Sequence, residues 1–145
     1  MSIDVKKGQR CMGVDYGDVR TGLALSDVGL FLSSAYKTLK VGGMRGTAQA
    51  TAEEAQKNDV GLIVVGLPKN MDGSEGGRAE VCRAFAALLA EYTDTPIVMF
   101  DERLSTAAAH RVLSFTDVGG KKRKNVIDAL SAEIILQDYL DRNRS

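Results

Sequence analysis

The chain has few of the residues on which much catalytic and structural chemistry depends. In 145 residues there are two cysteines and one histidine. Cys11 and Cys82 lie far apart with no metal-ligating neighbours, which speaks against a disulfide framework or a zinc site and leaves two buried thiols in a reducing compartment. His110 sits between Ala109 and Arg111 with no cysteine, serine or acid in a triad-like relation, so it reads as a surface or packing residue of a helix. Charge of one sign is also missing. Nineteen Lys and Arg balance nineteen Asp and Glu, so no global positive field draws in a polyanion, and nucleic-acid binding has to rest on local patches. No stretch reaches 18 consecutive apolar residues, and Lys6, Lys7 and Arg10 have no apolar run behind them. Neither a membrane span nor a secretory leader is expected, and the cytoplasm is the expected location.

What is present is the material of one domain, residues 1–145, long enough to bury roughly two-thirds of its unfolded surface without cross-links. Residues 11–16 (CMGVDY) and 21–26 (TGLALS) flank the turn-like GDVR and predict a β-hairpin. A third extended segment is predicted from Leu30 to Leu39. Gly42 and Gly43 then break the chain before an Ala-rich helix over 45–57. Residues 60–68 (VGLIVVGLP) form a continuous apolar run, the pattern of a strand buried on both faces between parallel neighbours. A polar, Gly-rich loop over 68–77 leads to a helix over 78–92, whose Val81, Phe85, Leu88 and Leu89 recur at helical spacing and read as core or interface. Pro96 opens the strand IVMF (97–100). A helix capped by Ser105 is expected to run to about Phe115, followed by a loop over 116–125 and a last helix over 126–140. The order β-β-β-α-β-α-β-α-α predicts an α/β fold with a mixed five-stranded sheet flanked by helices.

Ligands of open α/β sheets gather beyond the carboxyl ends of the parallel strands, so acids that end strands carry weight. Asp15 ends the first strand, and Asp101 and Glu102 end the last. Val98, Phe100 and Glu102 project to one face and Met99 and Asp101 to the other; the pattern leaves open which of the two acids faces Asp15. Asp128 leads an otherwise apolar helical stripe with Ala132, Ile135 and Tyr139. Each acid has a plainer reading: a turn residue before Gly17, solvated partners of Arg103, a third helical residue after an Asn125 cap. As a set they suit Mg²⁺ or Mn²⁺, because hard ions prefer carboxylate oxygen, and two of them roughly 4 Å apart can serve both the attacking and the leaving oxygen of a phosphodiester.

Four segments carry a resemblance over nearly the whole chain: GVDYGDVRTGLALSD (13–27), VVGLPKNMDGSEGGRA (64–79), FDERLSTAAA (100–109) and IDALSAEIILQDYL (127–140). In this order and spacing the chain resembles the YqgF family, also called RuvX, of proposed Holliday junction resolvases or pre-16S rRNA nucleases. The resemblance implies an RNase H-like fold, a divalent metal and a cytoplasmic nuclease. It also implies catalytic and metal-ligating roles for Asp15, Glu102 and Asp128. After DER the chain reads LST where LTT is commoner, a conservative change.

Other residues have two readings each. Lys121, Lys122, Arg123 and Lys124, in the expected loop just before Asp128, either draw substrate phosphates to the site or solvate an exposed loop. Arg20 and Arg103 either meet phosphate or pair with nearby acids. Asn70 and Ser74 belong either to an anion-accepting loop at a helix N-terminus or to an ordinary connection capped by Ser74; the loop is no P-loop, since its lysine and hydroxyl pair is absent.

The expected function is metal-dependent cleavage of nucleic acid, with the 5′ end of pre-16S rRNA ranked first and four-way DNA junctions second. Junction cleavage requires two symmetric cuts and hence a homodimer. A phosphate-binding ATPase of the actin type places a similar hairpin in two domains, and this chain has the material of one. A silent nucleic-acid-binding factor would keep the fold and use only the basic segment.

Overall fold

A computed structural model describes residues 3–104 and 121–143, with side chains described for 3–103 and 129–143. The first apolar run forms β1 (Arg10–Asp15), which pairs antiparallel with β2 (Thr21–Ser26), Met12 opposite Leu25 and Asp15 opposite Gly22. Their turn is closed by Gly17, where a Cβ would run into the Arg20 carbonyl oxygen, so only glycine fits. β3 (Ser33–Leu39) pairs antiparallel with β2. It begins three residues later than expected: Leu30 has φ 61°, and Asp27 Oδ1 accepts the N–H groups of Phe31 at 2.7 Å and Leu32 at 3.0 Å. These bonds turn apolar residues that otherwise read as strand.

The alternation follows with α1 (Met44–Lys57), β4 (Val60–Leu67), α2 (Gly77–Leu89) and β5 (Ile97–Asp101), a 3₁₀ turn at Glu102–Leu104, and α3 (Lys121–Asn143). The sheet order is β3-β2-β1-β4-β5. β4 lies between β1 and β5 and is parallel to both, as its two-sided apolar run requires. The helix expected over 105–115, with His110, lies outside the described residues. The last helix corrects the expected loop: Lys121–Asn125 form the first turns of α3 instead of preceding it. Lys and Arg are good helix formers, and the asparagine cap read at 125 is not where the helix starts.

Strand alternation sorts the core into two layers. Met12, Val14, Ile63, Val65 and Leu67 pack with Ala48, Ala52, Cys82, Phe85 and Leu89 of α1 and α2. Cys11, Ala24, Leu62, Val64 and Phe100 pack with Ala132, Ile135, Leu136 and Leu140 of α3. Both cysteines are buried and neither is in a disulfide, and burial pushes the Cys11 thiol up to about 11. α3 reaches the edge of the sheet as well. Glu133 Oε1 accepts the Ala35 N–H at 2.8 Å and Gln137 Oε1 the Ser33 N–H at 2.9 Å, which blocks further strand pairing along β3.

Candidate active site

The ends of β1, β4 and β5 are level. Val14 pairs with Val65 and Val65 with Met99, and Gly66 pairs with Phe100 one residue further on. That step brings Asp15 abreast of Gly66. Cys11 and Gly13 face α3, so by alternation Asp15 does too. Leu62, Val64, Phe100 and Glu102 occupy the same side.

Gly66 is the hinge of this arrangement. A Cβ there would lie 3.2 Å from Cδ and Oε2 of Glu102 and 2.7 Å from Cδ1 of Ile135. The Glu102 carboxyl group therefore rests on the bare backbone of the central strand, next in line to Asp15, and is only 5% exposed. A carboxylate kept from water is held for a purpose or a partner. Sequence reasoning passed over Gly66, although a glycine inside a β-branched run is a signal of close approach.

The two neighbouring acids lie on opposite faces of the sheet, with Glu102 on the α3 side. Asp101 lies on the opposite face, where Arg103 Nη2 donates to its Oδ2 at 2.7 Å and Arg103 N to its Oδ1 at 2.9 Å. These bonds hold the Asp101 carboxyl below its ordinary range. Arg103 also donates to the Met71 carbonyl at 3.4 Å, so it fastens the loop after β4 to the end of β5.

Asp128 belongs to α3, one turn before Ala132. The Ala132 carbonyl and Leu136 Cβ each approach the site of a Gly13 Cβ at 2.7 Å, and Tyr139 lies one to two turns further on, over Phe100 at 6.2 Å between ring centroids. Glu133 reaches Ala35 and Gln137 the earlier Ser33 of β3, a strand parallel to β1, so α3 runs against the direction of β1 and its start lies toward the Asp15 end. Lys121, Lys122, Arg123 and Lys124 occupy the turns before Asp128.

The loops beyond the strand ends hold others of the expected residues. Asn70 Nδ2 donates to Ser74 Oγ at 2.9 Å, and Ser74 Oγ donates to Asp72 Oδ1 at 2.6 Å. Ser74 does not cap α2; its N-cap is Gly76, with no side-chain bond, because Ser74 is spent on this internal turn. Arg20 sits half-buried just before β2 in the turn closed by Gly17. Arg78, which sequence reasoning did not single out, donates to the Tyr16 carbonyl at 2.6 Å and to Asp18 at 3.3 Å. It ties the loop after Asp15 to α2.

Comparison with known proteins agrees with this architecture. Residues 9–142 match the RuvX family, described as "Holliday junction resolvase". A relative from Bacillus cereus (strain AH187), named "Putative pre-16S rRNA nuclease", is 45% identical over 135 residues, covering 92% of this chain and 98% of that one. A relative of the same name from Bacillus thuringiensis (strain Al Hakam) is 45% identical over 134 residues, 91% of this chain and 98% of its own. Among solved structures, T. thermophilus RuvC in complex with Holliday junction substrate superposes with a TM-score of 0.55 at 14% identity, covering 92% of this chain and 96% of that one. The fowlpox virus Holliday junction resolvase gives 0.51 at 8% identity, covering 92% and 99%. At such identities the structural likeness speaks for the fold alone, which is the expected RNase H-like one. Together with the match over residues 9–142, the identity to the Bacillus proteins means that this chain belongs to the RuvX family.

Proposed function

We propose that the chain is a nuclease that hydrolyses phosphodiester bonds with Mg²⁺ or Mn²⁺, and that its substrate is the 5′ end of pre-16S rRNA. The observation that carries this reading is that Asp15 and a Glu102 seated on Gly66 lie at the same end and on the same face of the sheet. Among the described residues no group of three His, Cys, Asp or Glu could hold a metal ion, so the reading needs Asp128 from α3 as third ligand. The donor chemistry fits: carboxylate oxygens without thiolate or imidazole suit hard divalent ions. When bound, the ions would activate water and neutralise charge on the phosphate oxygens.

The protein's own part is to position and attract. Burial fixes the Glu102 carboxylate, and Arg78 and Arg103 pin the two loops beside it. Four cations at the start of α3 repel one another and oppose the positive end of the helix dipole. A phosphate chain relieves both effects and is held without regard to sequence. Four-way DNA junctions are the second reading, favoured by the family's description and by the RuvC complex among the structural neighbours; it demands a two-fold homodimer. Among the described residues no helix is long and apolar enough to cross a membrane, and we place the activity in the cytoplasm.

The test is cleavage of labelled pre-16S precursor, single-stranded RNA and four-way junctions by purified protein with Mg²⁺ or Mn²⁺. Asp15→Asn should abolish cleavage. Activity indifferent to Asp15→Asn or to chelator would refute the metal-dependent reading.

A further inference from the structure

Ser131 of α3 is fully buried, and among the described residues its hydroxyl has no hydrogen-bond partner. Buried hydroxyls are nearly always paired, so an orphan needs an explanation. The surroundings of α3 locate it. Glu133 and Gln137 reach β3, Ala132 and Leu136 lie on Gly13 of β1, and Ile135 lies on Gly66 of β4. Around the helix these contacts follow the order of the strands in the sheet. Ser131 comes next in that order, about 40° beyond Ile135 on the side away from Ala132, and so faces the β4–β5 side. Along the helix it is one turn, about 6 Å, before Ile135. Because α3 runs against the strands, that step leads past Gly66 toward their carboxyl ends. The backbone of Glu102 lies two residues past Phe100, the partner of Gly66, in the same direction, and its carboxyl group rests on Gly66.

We propose that Ser131 is a positioning residue for the carboxylate site: its hydroxyl supports the Glu102 side of the ligand set when a divalent ion is bound. This rests on the metal-dependent reading above. A carboxylate oxygen of Glu102 is the kind of acceptor this hydroxyl lacks, and a bond between them would hold that ligand in place for a divalent ion. Outer hydrogen bonds of this kind orient ligands, and their loss typically weakens metal binding tenfold or more.

The experiment is calorimetric titration of Mn²⁺ into the full-length chain and its Ser131→Ala and Ser131→Thr variants, alongside thermal unfolding without metal. Ser131→Ala removes an unpaired buried hydroxyl, so it should unfold at the same temperature or higher. It should nevertheless bind Mn²⁺ roughly tenfold more weakly, with Ser131→Thr retaining more of the affinity. Unchanged Mn²⁺ affinity in Ser131→Ala would overturn the role of Ser131 and leave the nuclease reading standing. If the wild-type chain binds no Mn²⁺, both fall together.

Discussion

The Glu102 carboxylate fills the space that a side chain on residue 66 would take, its Oε2 3.2 Å from where a Gly66 Cβ would stand. The relationship makes Gly66→Ala a test of the site. The new methyl also meets Ile135 Cδ1 at 2.7 Å, but that atom is the end of a side chain and can give way. We expect a modest loss of stability, about 1–2 kcal/mol by urea unfolding, and a much larger loss of cleavage as Glu102 is displaced. Cleavage at the wild-type rate would mean that Glu102 does not work from this seat.

Gly13→Ala makes the opposite contrast. Its Cβ would lie 2.7 Å from both the Ala132 carbonyl oxygen and Leu136 Cβ, atoms of a helix that cannot turn aside. The whole of α3 must lift from β1, so the expected destabilisation is about 3 kcal/mol or more. Urea midpoints of the two glycine variants measured side by side would check the order.

The two neighbouring acids should separate cleanly. Glu102→Gln should lower cleavage at least about a hundredfold, the scale on which site electrostatics act, with little change in melting temperature. Asp101→Asn breaks the pair with Arg103, which is partly solvent-exposed, so a loss of at most about 1 kcal/mol is expected and cleavage should survive. The reverse pattern would move the site to the other face of β5.

This division shows what the sequence could and could not say. Alternation along 97–102 revealed that the two acids oppose each other, and periodicity set Asp128 in line with Ala132 and Ile135. The face that α3 covers depends on tertiary packing at Gly13 and Gly66, which no local pattern encodes. The turn at 27–32 was misread because Asp27's hydrogen bonds, not hydrophobicity, decide its path. Lys121–Lys124 read as loop because a run of like charges beside Gly119 and Gly120 is usually a solvated segment; the structure instead puts them in the first turns of α3.

Acid should loosen the α1–β3 junction first. Glu54 accepts from Lys37 Nζ at 2.9 Å and Tyr36 Oη at 2.7 Å, and these bonds hold its carboxyl below the ordinary value of 4.5. A depressed carboxylate stabilises the fold above its unfolded pKa, and that contribution is lost as pH falls through the folded value. Melting temperature should therefore fall as pH drops below about 4.5, and Glu54→Gln should flatten that fall. Equal slopes in the two proteins would assign the acid sensitivity elsewhere.

The basic start of α3 gives a prediction in which binding and stability move in opposite directions. If Lys121, Lys122, Arg123 and Lys124 each neutralise one phosphate, changing all four to alanine should reduce the slope of log affinity against log salt by about 3 for single-stranded RNA. The loss should be alike for unrelated sequences, since backbone contacts carry no sequence information. Removing four like charges from a helix start while keeping good helix formers should leave the melting temperature unchanged or raise it. A protein that is less stable but equally salt-sensitive would mean that the four cations serve the helix and not the phosphates. Fluorescence anisotropy with labelled RNA from 50 to 200 mM salt, together with a thermal melt, distinguishes the two.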